Sequence, residues 1–293
     1  LESQRRDHGT DDLHPGLECS FCRAHTRGPG FLIKQTMDGI AKRMFTQNGN
    51  NNHGNFAGQV AVITGSSSGV GKALAFALAS HGATLCLLGR DLHRLHKVRN
   101  EIGVDWNHSR CYPVDLTRDS EIQALQLQVQ QDFGNVDIVI HSAGVIRLGG
   151  VKCAPIEDFD LQYGINVRAA FSLSQAMLPL IKARRGQFVF VNSLAGLTSN
   201  PNTPQYSATK HAMTAIANSL REEVNPMGLR VLNLFIGCTA TPMQFALHDL
   251  EKKPYRPEHF LQPDDIASVV LNALSLPRSA EVTEIKNRPL IKP

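Results

Sequence analysis

Five short, predominantly apolar runs, separated by stretches of helix length, constrain this chain most. They are Val60–Thr64, Thr84–Leu88, Val136–Ile140, Phe188–Val191 and Val231–Ile236. A strand with one face in water alternates apolar and polar residues. An unbroken apolar run suits a strand covered on both faces, as in a parallel sheet. Between the runs, Lys72–Ser80, Leu92–Glu101, Ser120–Phe133, Ile156–Ala183 and Gln205–Val224 read as helices. Strand–helix alternation from residue 57 onward predicts an α/β fold built on a doubly wound parallel sheet.

Residues 1–56 lack this periodicity and end in the Asn/Gly-rich run Gln47–Asn55. Such a run cannot bury enough apolar surface to offset the entropy of ordering. The expected organisation is a single domain over residues 57–293 with a flexible N-terminal extension over 1–56, which holds at most a short helix near Gln35–Phe45. Met37 is a candidate true start. The net charge of +4 is spread along the chain, and there is one Trp and four Tyr. With neither a dense basic run nor an aromatic platform, no nucleic-acid partner is expected. No run is long and apolar enough to span a bilayer, so no membrane partner is expected. Six scattered cysteines in 293 residues do not make a disulfide framework, which points to a reducing, cytoplasmic compartment. Cys19 and Cys22, with His14 and His25 nearby, form one CxxC; a structural zinc needs four ligands, and no metal is expected.

The first apolar run leads into Thr64-Gly65-Ser66-Ser67-Ser68-Gly69-Val70-Gly71 and then into a helix. Glycines there let the backbone turn sharply and approach a pyrophosphate. The helix start behind them adds free amides and the positive end of its dipole. The position between a strand and a helix is the context that makes such a turn a dinucleotide site. The second run ends in Leu88-Gly89-Arg90-Asp91. An acid at the Gly89 position would bind both ribose hydroxyls and select NAD. Arg90 instead offers a planar guanidinium to a 2′-phosphate, which favours NADP(H) over NAD. Asp91 reads as the cap of the next helix.

Tyr206 and Lys210 stand four residues apart, on one face of a helix. A phenol titrates near pH 10, and a neighbouring cation lowers that value, which yields a general acid/base.

These motifs, in order with Val114-Asp115-Leu116, His141-Ser142-Ala143-Gly144, Asn166-Val167, Ser193 and Gly237 through Thr241, resemble the short-chain dehydrogenase/reductase family over residues 56–293. The resemblance implies a Rossmann-type fold and an oxidoreductase that interconverts a carbonyl and a secondary alcohol. It implies Tyr206 as acid/base and Lys210 as its electrostatic partner and ribose ligand. Ser193 would bind the substrate oxygen, and Asn166 would help hold a water of the proton relay. For the cofactor it implies Gly65, Ser67, Ser68, Gly69, Val70 and Gly71 around the pyrophosphate. Asp115 and Leu116 would lie at the adenine, and Ala143 and Gly144 on the adenosine side. Gly237, Thr239 and Thr241 would lie along the nicotinamide and pyrophosphate. A homodimer or homotetramer through the helices near Ile156–Ala183 and Gln205–Val224 is also implied.

Two local departures stand out. His141-Ser142 replaces the family's Asn-Asn, and Ile236 replaces its proline before Gly237. They leave open a non-catalytic dinucleotide-binding protein with the same fold. Isomerase or dehydratase chemistry would need a larger C-terminal substrate domain than the 80 or so residues after Lys210. The segment Met243–Phe260, with Met243, Phe245, Leu247, His248, Tyr255 and Arg256, is expected to cover the site, and Leu148, Leu194 and Leu197 to add apolar wall. The expected substrate is a medium-sized, partly apolar small molecule.

Overall fold

The computed structural model describes residues 56–103 and 108–291. The N-terminal extension, its helix near Gln35–Phe45 and the Cys19/Cys22 pair lie outside the described residues. Seven strands form one parallel sheet: β1 (Val60–Thr64), β2 (Thr84–Gly89), β3 (Ser109–Pro113), β4 (Ile138–His141), β5 (Gln187–Ser193), β6 (Arg230–Ile236) and β7 (Glu284–Asn287). Their spatial order is β3-β2-β1-β4-β5-β6-β7. The helices are α1 (Gly69–Ser80), α2 (Leu92–Ile102), α3 (Asp119–Phe133), α4 (Ile156–Tyr163), α5 (Ala169–Lys182), α6 (Pro204–Val224), α7 (Pro242–Leu250) and α8 (Pro263–Leu274).

The predominantly apolar runs are explained by two cores, one on each face of the sheet. Ala61, Ile63, Leu85 and Leu87 point to the side packed by α1, α2 and α8. Val62, Cys86 and Leu88, one residue out of step, point to the side packed by α3, α5 and α6. Because successive side chains alternate faces, both phases of the run must be apolar.

The edge strands break this rule. β3 pairs only with β2, and its sequence Ser-Arg-Cys-Tyr-Pro carries polar groups outward. Arg110 pairs with Asp132, and the Tyr112 hydroxyl donates to the same carboxylate at 2.7 Å. β7 pairs only with β6 and exposes Glu284 and Lys286, charges that discourage edge pairing with another chain.

The predicted helix over Ile156–Ala183 is interrupted. Between α4 and α5, residues Gly164–Arg168 form a π turn, in which the Ala169 N–H reaches back to the Gly164 carbonyl. Such a turn widens the helix by one residue, a device often found beside functional groups. The strand order reverses direction between β2-β1 and β1-β4, so a crevice opens at the carboxyl ends of β1 and β4.

Candidate active site

A cleft of about 890 Å³ runs along the carboxyl edge of the sheet. Its floor begins at the turn from β1 to α1. Gly65 has φ +65°, and a Cβ built there would lie 2.9 Å from the Ala143 Cα. A Cβ on Gly71 would lie 2.5 Å from the Gly65 carbonyl oxygen, so only glycine fits. The helix cap Ser68 makes no side-chain bond to the first turn of α1. By contrast, Asp91 caps α2 through the Arg94 N–H at 3.1 Å, and Thr241 caps α7 through the Gln244 N–H at 3.2 Å. The α1 amides therefore face the cleft without a side-chain acceptor, the condition for holding an anion.

Thr64, given no role by the sequence, ties β1 to the segment after β4. Its hydroxyl donates to the Ile140 carbonyl at 3.3 Å and accepts from the Ser142 and Ala143 amides, each at 2.9 Å. Ser142, Ala143 and Gly144 line the cleft. His141 does not. It is buried on the opposite face, 6.3 Å from Phe188 and 4.6 Å from Phe190 between ring centroids. Ser174 Oγ donates to the Ala170 carbonyl at 2.8 Å, so the 2.9 Å contact to His141 Nε2 assigns the imidazole proton to Nε2. The departure from the family's asparagine is thus a core substitution.

Burial pushes the His141 imidazole down to about 3. The unfolded chain binds this proton below about pH 6.5 and the folded chain does not. Stability is therefore complete above that pH and is lost as pH falls toward 3. His141→Asn is expected to recover about 2 kcal/mol of the stability lost between pH 7 and pH 5. Urea unfolding of both proteins at the two pH values measures it.

At the end of β2, a Cβ on Gly89 would lie 3.2 Å from Leu95 Cδ2, so a carboxylate side chain there would crowd the core. Arg90 and Arg94 both line the cleft and are exposed. Arg94 was not singled out by the sequence, although its spacing of four from Arg90 was the available signal. Asp115 also lines the cleft. Hydrogen bonds from the Thr117 hydroxyl at 2.7 Å and amide at 3.0 Å hold its carboxyl below the usual range, helped by the charges of Arg118 and Arg90.

Tyr206, in the first turn of α6, lines the cleft together with Ser193 at the end of β5. Burial pushes its phenol up to about 12, against an opposing influence of the nearby Ser193 hydroxyl. Lys210 is buried one turn on; its Nζ donates to the Val191 carbonyl at 3.2 Å and lies 5.7 Å from the Tyr206 ring centroid. Burial pushes that ammonium down to about 8. A bare Tyr–Lys pair at this spacing predicts a lowered phenol; here desolvation sets the opposite direction. Asn166 sits in the π turn, fully buried. Its Oδ1 accepts from the Val145 N–H at 2.8 Å, and its Nδ2 donates to the Val145 carbonyl at 2.9 Å and Thr209 Oγ1 at 3.1 Å. The side chain clamps the wall after β4 to α6.

The sequence profile described as short chain dehydrogenase matches residues 59–252. The chain belongs to the short-chain dehydrogenase family. An uncharacterized oxidoreductase of Staphylococcus aureus is 32% identical over 233 residues, 79% of this chain and 97% of the relative. An alcohol dehydrogenase from the archaeon Thermococcus sibiricus, solved with 5-hydroxy-NADP, superposes with a TM-score of 0.71 at 28% identity, over 80% of this chain and 98% of that one. A metagenomic short-chain oxidoreductase in complex with NADP gives a TM-score of 0.69 at 28% identity, over 81% of this chain and all of the other.

In this short-chain dehydrogenase, the segment after β6 forms the outer wall. Gly237, Thr239 and Thr241 line the cleft, and the Thr241 methyl lies 3.2 Å from where a Gly69 Cβ would stand. Met243 and Leu247 of α7 face inward, as do Leu148 and Leu194. Phe245, His248 and Tyr255 do not line it. They stack with one another and with Phe260, at 5.3–5.5 Å between centroids, and so brace α7 against the returning loop. Arg256 and Leu197 are likewise outside the lining. The turn at Ile236-Gly237 is held without the family's proline. The Gly237 N–H donates to the Asn287 carbonyl at 2.8 Å, and Pro289 Cδ lies 3.1 Å from where a Gly237 Cβ would stand. Among the described residues no helix is long and apolar enough to cross a membrane.

Proposed function

We propose that this chain is an NADP(H)-dependent oxidoreductase that interconverts a carbonyl and a secondary alcohol. The observation that carries this reading is that the Tyr206 phenol, Ser193 and Lys210 line the same cleft as the glycine turn, with Lys210 Nζ 5.7 Å from the Tyr206 ring centroid. The residues fit a dinucleotide. The turn of Gly65, Ser67, Ser68, Gly69, Val70 and Gly71, with its uncapped amides, suits a pyrophosphate. Arg90 and Arg94 suit a 2′-phosphate, and Asp115 with Leu116 the adenine. Ala143 and Gly144 suit the adenosine side, and Gly237, Thr239 and Thr241 the nicotinamide side.

Bound NADP(H) supplies or accepts the hydride. Ser193 and Tyr206 donate hydrogen bonds to the carbonyl oxygen and stabilise the charge that grows there. Tyr206, neutral at physiological pH, delivers the proton. Lys210 stabilises the resulting phenolate and holds the ribose. Asn166, whose amide is committed to Val145 and Thr209, keeps the wall and the π turn in place. The test is a screen of aldehydes, ketones and secondary alcohols that follows NADPH absorbance, repeated with NADH. Turnover with at least one compound, faster with NADPH, is the expected result; turnover of none sinks the proposal.

The same reading extends to assembly and location. Exposed Ile156, Tyr163 and Phe171, at 64%, 47% and 48%, give α4 and α5 an apolar outer face that supports a homodimer or homotetramer. Light scattering after size exclusion measures it. The described cysteines Cys86, Cys111, Cys153 and Cys238 are all free, which supports a reducing, cytoplasmic compartment.

A further inference from the structure

We infer that Arg288 is a specificity residue that pairs with a carboxylate on the substrate, so that the natural carbonyl compound is a keto acid or the matching hydroxy acid. The inference rests on the reductase reading and narrows its substrate class.

Register places Arg288 at the reaction. Ser193 pairs with Ile236, and Ile236 with Asn287, so these three residues form one row across β5, β6 and β7. Arg288 is the next residue, at the carboxyl edge. Its backbone is fixed: a Gly237 Cβ would lie 3.3 Å from the Arg288 Cα, and Pro289 is buried against the same turn. Arg288 lines the cleft together with Ser193, Tyr206, Gly237 and Cys238.

Strand spacing decides which anion it can serve. Neighbouring strands lie about 4.8 Å apart. The glycine turn follows β1, four strands from β7, or roughly 19 Å. Arg90 and Arg94 follow β2, five strands away, or roughly 24 Å. An extended arginine reaches roughly 6–7 Å from its Cα at ordinary bond lengths. The 2′-phosphate at Arg90 and Arg94 therefore lies out of reach of Arg288. Ser193 is two strands away, roughly 10 Å, so a short acyl chain between carbonyl and carboxylate closes the gap.

The guanidinium is uncommitted. Arg288 makes no hydrogen bond or ion pair with a described residue. Lys210, the other cation at this end, is buried with its Nζ on the Val191 carbonyl and beside the Tyr206 ring. Glu251, the acid that lines this end, is paired with Lys253 at 3.0 Å. His248 is bonded to the Gln244 carbonyl, and Arg256 lies outside the lining. A planar guanidinium matches a carboxylate through two parallel bonds.

The test compares acids with their methyl esters in the full chain. Acetoacetate and levulinate are assayed against methyl acetoacetate and methyl levulinate with NADPH. Binding of hexanoate against methyl hexanoate to the NADP-saturated protein is measured by calorimetry. The expected acid-to-ester preference is at least ~10-fold in kcat/KM and in affinity, falling to near one in Arg288→Gln. Equal handling of acid and ester by the native protein overturns the inference, as does a preference that survives Arg288→Gln. A tenfold loss of NADPH affinity in Arg288→Gln with the preference intact assigns the residue to the cofactor and also overturns it. Binding preference for hexanoate without turnover of any probe upholds the Arg288 site and counts against the reductase reading instead.

Discussion

Tyr206→Phe is expected to lower turnover by ~10³-fold while NADPH affinity changes little, because the variant keeps the ring and removes only the proton donor. Burial holds the phenol up to about 12, so it stays protonated throughout the working range, the state a carbonyl reduction requires. Ser193 lines the cleft beside it. Lys210, pushed down to about 8 by burial, is charged below that pH and neutral above it. Reduction is therefore expected to be level below about pH 8 and to fall above it, as the phenolate left after proton delivery loses its cation. Steady-state rates of the native protein across pH, with fluorescence titration of NADPH into Tyr206→Phe, check both statements. A variant that turns over at the native rate would remove Tyr206 from the chemistry.

The double variant Arg90→Ala/Arg94→Ala is expected to lose ~100-fold in kcat/KM with NADPH and little with NADH, since charge-assisted bonds to phosphate are among the stronger polar contacts. Both side chains are exposed at the end of β2, so the effect is expected to shrink as salt rises. Adding an acid at Gly89 is not a simple route to NADH use, because a side chain there meets Leu95. Kinetics with the two cofactors at low and high ionic strength measure the selectivity. Equal losses with NADPH and NADH would mean that the two arginines hold something common to both, and not the 2′-phosphate.

The sequence revealed most where one force dominates. β1, β2, β4, β5 and β6 were legible because both phases of each strand are buried, so each run is predominantly apolar. β3 was not, because an edge strand keeps polar groups on its open side, and Arg110 and Tyr112 find their partner on α3. The π turn at Gly164–Arg168 left no mark, since its residues carry ordinary helical periodicity. The spacing of Tyr206 and Lys210 gave their proximity correctly, but it could not give burial, and burial set the direction of the phenol's shift. Phe245, His248 and Tyr255 illustrate the same limit. Their segment lies over the site, but periodicity does not say which side of α7 faces in, and they brace it from outside. Arg288 escaped because its role depends on the register of β5, β6 and β7, which only the folded sheet defines.

The most direct measurement supplies NADPH deuterated at the reactive ring carbon, together with a carbonyl compound identified in the screen, and reads the product by mass spectrometry. The account predicts a secondary alcohol that carries one deuterium on its carbinol carbon, formed by the native protein and lost in Tyr206→Phe. Tight NADPH binding with no deuterium transferred to any compound would contradict it, and would mark the chain as a dinucleotide-binding protein that keeps the fold without the chemistry.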